Sequence, residues 1–313
     1  MSNSKDWVQL HESYYRKTTL YEMLWSNMEL DKYLIAGAPY GGPLAIVRDE
    51  RKVLLLGYDK SNEPAHRPRM RIFSSAGKLL SSFTWNQRGL VAMGWNEDEN
   101  LVCILYTGSV IIYSINGIRL NSFELGPACR EDKIAEAHIW SSGLVVRTGG
   151  KSELYCVTNF NDPITIKLAN VNLNKPPTSM AVLPSSSKSS NTSKSNYPEV
   201  LLGAASGSIV IVNRKESQNI LVENAKGPFA KMKISPNKSK IACFNDEGTL
   251  FVMSVDFIEQ ITEFATKSKV APKDMIWCGE DAIIMYWDKI LLLVGFYGHF
   301  IKYTYDGPLY LCC

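Results

Sequence analysis

The side chains best suited to chemistry in this chain stand apart from one another. His11, His66, His138 and His299 fall in separate stretches, and none lies at metal-ligand spacing from a cysteine. Each is expected to be a solvated or core histidine. There is no G-x-S-x-G nucleophile turn, no G-x-x-x-x-G-K-[ST] phosphate loop and no H-E-x-x-H zinc helix. Gly41-Gly42-Pro43 has the composition of a phosphate-cradling turn, but neither a helix start nor a lysine follows it. Trp287-Asp288 is a lone W-D dipeptide placed in a hairpin turn. Cys312-Cys313 resembles the prenylated ends of some small GTPases. That modification needs a GTPase body, and the chain has no phosphate loop, so the pair is read as an accident of truncation. The expectation is a protein with no catalytic, cofactor or metal site.

The elements that would have to position any site are strands. Tyr106-Thr107-Gly108-Ser109-Val110-Ile111-Ile112-Tyr113 reads as a glycine turn followed by an apolar, β-branched strand, and the same grammar returns at Gly150, Gly207 and Gly248. The intervals are 42, 57 and 41 residues. That period, with only strand and turn signals between, predicts an all-β fold: a β-propeller of four-stranded blades, about six of them plus an incomplete seventh. The blades fall at residues 33–83, 90–123, 135–168, 179–222, 229–264 and 274–303. Blade one takes in apolar runs at 44–47, 53–56 and 70–73, and its polar 59–69 loop is expected to be mobile. Residues 306–311 read as a turn and the first strand of the seventh blade. Residues 14–23 read as a closing strand outside blade one. Trp95 and Trp140, 45 residues apart, with Trp277 further on, are expected blade anchors. The first-strand runs are read as nearly all apolar. The chain is expected to be one propeller domain over 1–313, cut in its last blade, with a disordered serine-rich loop at 184–197.

Composition limits the partners. A formal net charge of +3, from 34 basic against 31 acidic residues, is too small and too dispersed to indicate nucleic acid. At 313 residues the chain can bury roughly 75% of the surface its unfolded form exposes, so it needs no disulfide or metal staple. Cys103, Cys156 and Cys243 lie in apolar strand runs and read as reduced core thiols, pointing to the cytoplasm. The N-terminal residues lack an apolar signal core. The apolar stretch at 282–300 is broken by Trp287-Asp288-Lys289 and reads as two buried strands rather than a membrane span.

One further likeness is specific. Trp7, Tyr14-Tyr15-Arg16-Lys17, Leu20-Tyr21 and Ala38-Pro39-Tyr40-Gly41-Gly42-Pro43-Leu44-Ala45 occur in order, followed by Arg48-Asp49, Met93-Gly94-Trp95-Asn96 and Asp306-Gly307-Pro308. In these groups the chain resembles the vacuolar protein sorting-associated protein 16 family over nearly its whole length. The resemblance implies an N-terminal propeller of a non-catalytic subunit of the HOPS and CORVET tethering complexes. Such subunits are peripheral on late endosomes, lysosomes or vacuoles and act in vesicle tethering and membrane fusion. It implies other class C vacuolar protein sorting subunits as partners. The Sec1/Munc18-like subunit is not expected to bind, because the family's α-solenoid, absent here, holds it. Tyr14, Tyr15, Arg16, Lys17, Pro39, Gly41, Gly42, Pro43 and Trp95 are the family signature, read chiefly as scaffold. Without the likeness, the alternative is a generic propeller adaptor that binds peptides or proteins.

Overall fold

The computed structural model describes residues 7–20, 25, 28–52, 68–184, 196–222 and 225–312. It divides into two compact units, Tyr21–Lys167 with Cys312–Cys313, and Leu168–Leu311 with Met1–Leu20. The chain opens on a two-stranded hairpin, β1 (Trp7–Leu10) and β2 (Ser13–Arg16), which belongs to the second unit.

The first unit holds three antiparallel sheets of four strands. Blade one is β3 (Tyr33–Gly37), β4 (Leu44–Arg48), β5 (Arg69–Phe73) and β6 (Leu79–Thr84). Blade two is β7 (Leu90–Trp95), β8 (Leu101–Leu105), β9 (Ser109–Tyr113) and β10 (Arg119–Glu124). The short helix α1 (Pro127–Asp132) leads into blade three: β11 (Ile134–Trp140), β12 (Gly143–Thr148), β13 (Leu154–Val157) and the two-residue β14 (Ile166–Lys167). The second unit holds three more. Blade four is β15 (Ser179–Leu183), β16 (Glu199–Gly203), β17 (Ile209–Val212) and β18 (Ser217–Ile220). Blade five is β19 (Phe229–Ile234), β20 (Lys240–Asn245), β21 (Thr249–Ser254) and β22 (Gln260–Ala265). Blade six is β23 (Asp274–Cys278), β24 (Ala282–Trp287), β25 (Ile290–Gly295) and β26 (Phe300–Thr304). Six four-stranded sheets in simple chain order are the blades of a β-propeller.

The middle strands explain why the sequence reads as it does. All five residues of β8 are buried. Leu101 and Cys103 pack toward Ala45, Val47 and Ile72 of blade one, while Val102 and Ile104 pack toward Leu144 and Val146 of blade three. A strand covered on both faces has no polar alternation left, so it appears as an unbroken apolar run. The outer strand β10, Arg-Leu-Asn-Ser-Phe-Glu, is mostly exposed and correspondingly polar. The apolar 282–300 stretch is the β24–β25 hairpin, as expected, and no helix among the described residues is long and apolar enough to cross a membrane.

Several expectations are corrected. The repeat turns at Gly108, Gly207 and Gly248 are three-residue loops. Gly108, Gly207 and Gly248 sit at φ of 87°, 93° and 91°, and the Gly108 amide donates to the Leu105 carbonyl at 2.9 Å. This is the loop type that ends on a residue in the left-handed region, which a side chain disfavours. Gly150 differs: its φ is ordinary, and a Cβ there would lie 2.4 Å from Asp132 Oδ1, so a side chain would displace the carboxylate that accepts the Gly150 amide. In that turn Ser152 takes the positive φ, at 54°. Residues 309–311 form no strand, because the Leu309 amide donates to the Tyr286 hydroxyl at 3.0 Å instead of joining a ladder. The closing strand expected at 14–23 is β2, which ends at Arg16 and pairs only with β1. Among the described residues this hairpin is the one sheet outside the six blades, and the seventh-blade strand expected at 306–311 is not formed. The run expected at 53–56 lies outside the described residues, as do most of the 59–69 loop and 185–195 of the serine-rich segment.

The first strands are also less apolar than expected. Glu136 and His138 lie on β11, Lys231 and Lys233 on β19, and Asp274 on β23. Unlike the middle strands, β11 and β19 are mostly half-exposed, so their alternate residues can carry charge. Glu136 receives Arg147 at 3.3 Å and lies 3.5 Å from His138 Nε2. Burial works against its ionisation, but the bonds from His138 and Arg147 outweigh it and hold the carboxyl below its ordinary value.

Candidate interaction surface

The signature residues separate into a frame and a display. Trp95 closes β7 and is 4% exposed. Its indole N–H donates to the Ala36 carbonyl of β3 at 2.9 Å, tying the first strands of blades one and two together. Trp277 repeats the device in the second unit, donating to the Lys233 carbonyl of β19 at 2.9 Å. Trp140 ends β11 as expected, but it stays half-buried and packs on Gly143.

Pro39, Gly41, Gly42 and Pro43 form the turn between β3 and β4. The Ala38 amide donates to the Pro43 carbonyl at 2.8 Å, and Gly42 passes so close that a Cβ there would stand 2.7 Å from Ala38 Cβ. Tyr40, forced to φ 59° at the tip, is 99% exposed. A backbone strained at a non-glycine residue to hold an aromatic ring in water suits a contact surface better than a core.

Tyr14, Tyr15, Arg16 and Lys17 lie at the end of the hairpin, which packs on blade six through Leu10 against Ala282 and Leu293. Tyr15 faces the blade, its hydroxyl sealed beside the Asp281 carboxylate, which also accepts from the Ser13 hydroxyl. Burial, then that carboxylate, pushes the Tyr15 phenol up. The Arg16 guanidinium lies over the Trp7 ring at 5.1 Å, and the Lys17 ammonium over Tyr303 and Tyr305 at 5.5 and 4.5 Å. Among the described residues cation–π stacking, rather than a carboxylate partner, holds both cations. Tyr14 and Trp7 remain 60% and 45% exposed.

Chemical machinery is sparse. Among the described residues no group of three or more His, Cys, Asp or Glu could hold a metal ion. Cys103, Cys129, Cys156 and Cys243 are buried and in no disulfide. Burial pushes the Cys103 and Cys243 thiols well up, and burial with the nearby Glu153 and Asp132 pushes Cys129 up to about 11, so none of these three is poised as a thiolate. A cleft of about 570 Å³ lies on blade four between the 172–175 segment and β17–β18, lined by amides and hydroxyls such as Asn172, Asn174, Ser206 and Ser217 together with Lys175.

The family model for Vps16, N-terminal region, matches residues 3–313, which takes in the hairpin, the Pro39–Gly41 turn and every blade. The chain belongs to the Vps16 N-terminal-region family. It is 30% identical to Protein VACUOLELESS1 of Arabidopsis thaliana over 99% of this chain and 38% of that protein. It is 31% identical to the vacuolar protein sorting-associated protein 16 homolog of Dictyostelium discoideum over 97% of this chain and 36% of that one. The chain therefore spans little more than a third of these relatives' length. Among solved structures it resembles a chain of the COPII outer coat vertex on membranes, with TM-score 0.61, 11% identity and cover of 88% of this chain and 76% of that one. The Cps50 (Swd1) β-propeller domain of Myceliophteria thermophila gives 0.57 at 11% identity, covering 87% and 85%. At such identity these two likenesses concern the fold. Proteins of this family and fold are typically non-catalytic scaffolds, and the family's names tie it to vacuolar sorting.

Proposed function

We propose that residues 1–313 act as one propeller domain of a non-catalytic scaffold subunit in HOPS- or CORVET-like tethering complexes, serving vesicle tethering, membrane fusion and intracellular protein transport. The observation that carries this reading is the family match from residue 3 to 313 at relatives named for vacuolar protein sorting. In this reading the protein is cytoplasmic, reaches the late endosome, lysosome or vacuole membrane only peripherally through the complex, and meets other class C subunits. The signature residues serve mainly to frame the propeller, with Tyr40 and Tyr14 on its contact surface. A stable interface needs roughly 1,200 Å² of complementary surface, and the Sec1/Munc18-like subunit is held by a solenoid, so this chain alone does not retain it.

The test is expression of the 313 residues in cells lacking the full-length protein, with co-precipitation of the class C and Sec1/Munc18-like subunits. The reading expects recovery of at least one class C subunit, none of the Sec1/Munc18-like subunit, and no restored lysosomal delivery. Absence of every class C subunit from the precipitate refutes it.

A further inference from the structure

The first unit contains a cavity of about 230 Å³ that the scaffold role does not use. Its floor is made where the first strands of three successive blades begin: Leu34 on β3, Leu90 and Val91 on β7, and Ile134 and Ala135 on β11. Trp85 and Tyr106 form its walls, and Arg48, Asp49 and Arg51 stand on its rim. The rim is rigid. The Tyr106 amide donates to the Gly89 carbonyl at 2.7 Å, and the Ile134 amide donates to the Tyr106 carbonyl at 2.8 Å, so one residue joins the entries of β7 and β11.

Two observations point to a ligand. Trp85 lines the cavity and its indole N–H donates to no acceptor among the described residues, whereas Trp95 and Trp277 both donate to backbone carbonyls, so this donor is open to a group bound there. The second is charge. Residues 48–52 with Arg88 and Lys133, which flank the lining residues Gly89 and Ile134, hold five basic against two acidic groups. Both acidic groups are engaged: Asp49 accepts from Arg51 Nε and Nη2 at 2.9 and 3.1 Å, and Glu50 accepts the Gly89 amide at 3.2 Å. The carboxylate of Asp132, beside Lys133, is turned to the Gly150 and Lys151 amides. The volume lies below the roughly 300–1,000 Å³ of small-molecule pockets and suits one large apolar side chain.

We propose that this cavity is a docking site for a short acidic peptide, which inserts one apolar side chain over Leu34 and Leu90, gives a carbonyl to the Trp85 N–H, and sets its carboxylates against Arg88 and Lys133. The partner is a protein segment with an aromatic or leucine residue flanked by aspartate or glutamate.

The probe is a fluorescein-labelled pentapeptide with phenylalanine between two pairs of glutamates, titrated into the 313-residue chain by anisotropy. Controls replace glutamate by lysine, or phenylalanine by alanine. Binding is expected for the acidic phenylalanine peptide and is expected to weaken by about tenfold or more in each control. The exposed double reversal Arg88→Glu with Lys133→Glu weakens it about tenfold at low salt. Trp85→Phe, which keeps an aromatic ring and removes the N–H, weakens it about fivefold. Unaltered binding by both variants, equal binding of the lysine peptide, or no binding up to about 1 mM overturns the proposal. So does capture of phosphatidylserine vesicles through Arg88 and Lys133 that the peptide fails to displace.

Discussion

Replacing Trp95 by phenylalanine should cost more than the same change at Trp85, and the excess measures the tie between blades one and two. Both indoles are nearly fully buried, 4% and 3% exposed, so the loss of ring area is similar. Contracting an indole to a phenyl removes roughly 40 Å² of apolar contact, about 1 kcal/mol. Only Trp95 donates its N–H to a buried carbonyl, that of Ala36, which the substitution leaves with one partner fewer. Because that carbonyl keeps its ladder partner on β4, the lost bond costs about 0.5–1.5 kcal/mol. Trp95→Phe should therefore lose about 1.5–2.5 kcal/mol and Trp85→Phe about 1 kcal/mol. Urea unfolding of the two variants, compared at similar slope, reads the difference. Because two compact units can unfold in steps, amide exchange in β3 (Tyr33–Gly37) and β7 localises it. Equal losses, or faster exchange in β3 with Trp85→Phe than with Trp95→Phe, would refute the argument that the indole bond joins the blades.

Leu10→Ala should release the hairpin from blade six, because Leu10, 5% exposed, supplies its buried contact with Ala282 and Leu293. The expected local loss is about 2–4 kcal/mol, read as faster exchange in β1 and β2 with the exchange of β8 unchanged. Glu136 has a folded pKa below its unfolded value, so its contribution is present above the unfolded pKa and fades as pH falls through the folded one. Glu136→Gln should accordingly lower the melting temperature at pH 7, with the deficit shrinking as pH falls below the ordinary glutamate range, measured by calorimetry. At pH 8 a thiol reagent should modify the exposed Cys312 quickly and leave Cys103, Cys129 and Cys243 unmodified until the chain is unfolded, checked by mass spectrometry.

Much of the architecture was legible because the middle strands announce themselves. β8, β9, β20 and β21 are covered on both faces, and that coverage writes apolar runs at a regular period. The same bias hid the first strands. A reading that follows the longest apolar runs passes over Glu136, His138, Lys231 and Lys233, which stand on strands whose alternate residues reach water. Residues 14–23 carried enough β-branched and aromatic character to suggest one long strand. Among the described residues, however, the ladder runs only from Trp7 opposite Arg16 to Leu10 opposite Ser13. Trp95 could be placed as an anchor from its spacing, but its acceptor, 59 residues earlier, could not, since it depends on how neighbouring blades lean together. The cavity under Trp85 has no local signature at all: its lining runs from Leu34 to Ala135 across three blades.

The contact of Leu10 with Gly295 and its neighbours joins residues 285 positions apart, and this sets a clock on synthesis. At about 5–20 residues per second, the ribosome delivers the blade-six surface on which the hairpin packs roughly 15–60 s after the hairpin itself. An isolated two-stranded hairpin is marginal in water. Through that interval Trp7, Val8 and Tyr14 wait for blade six, so a segment made some 285 residues earlier settles only when that blade arrives.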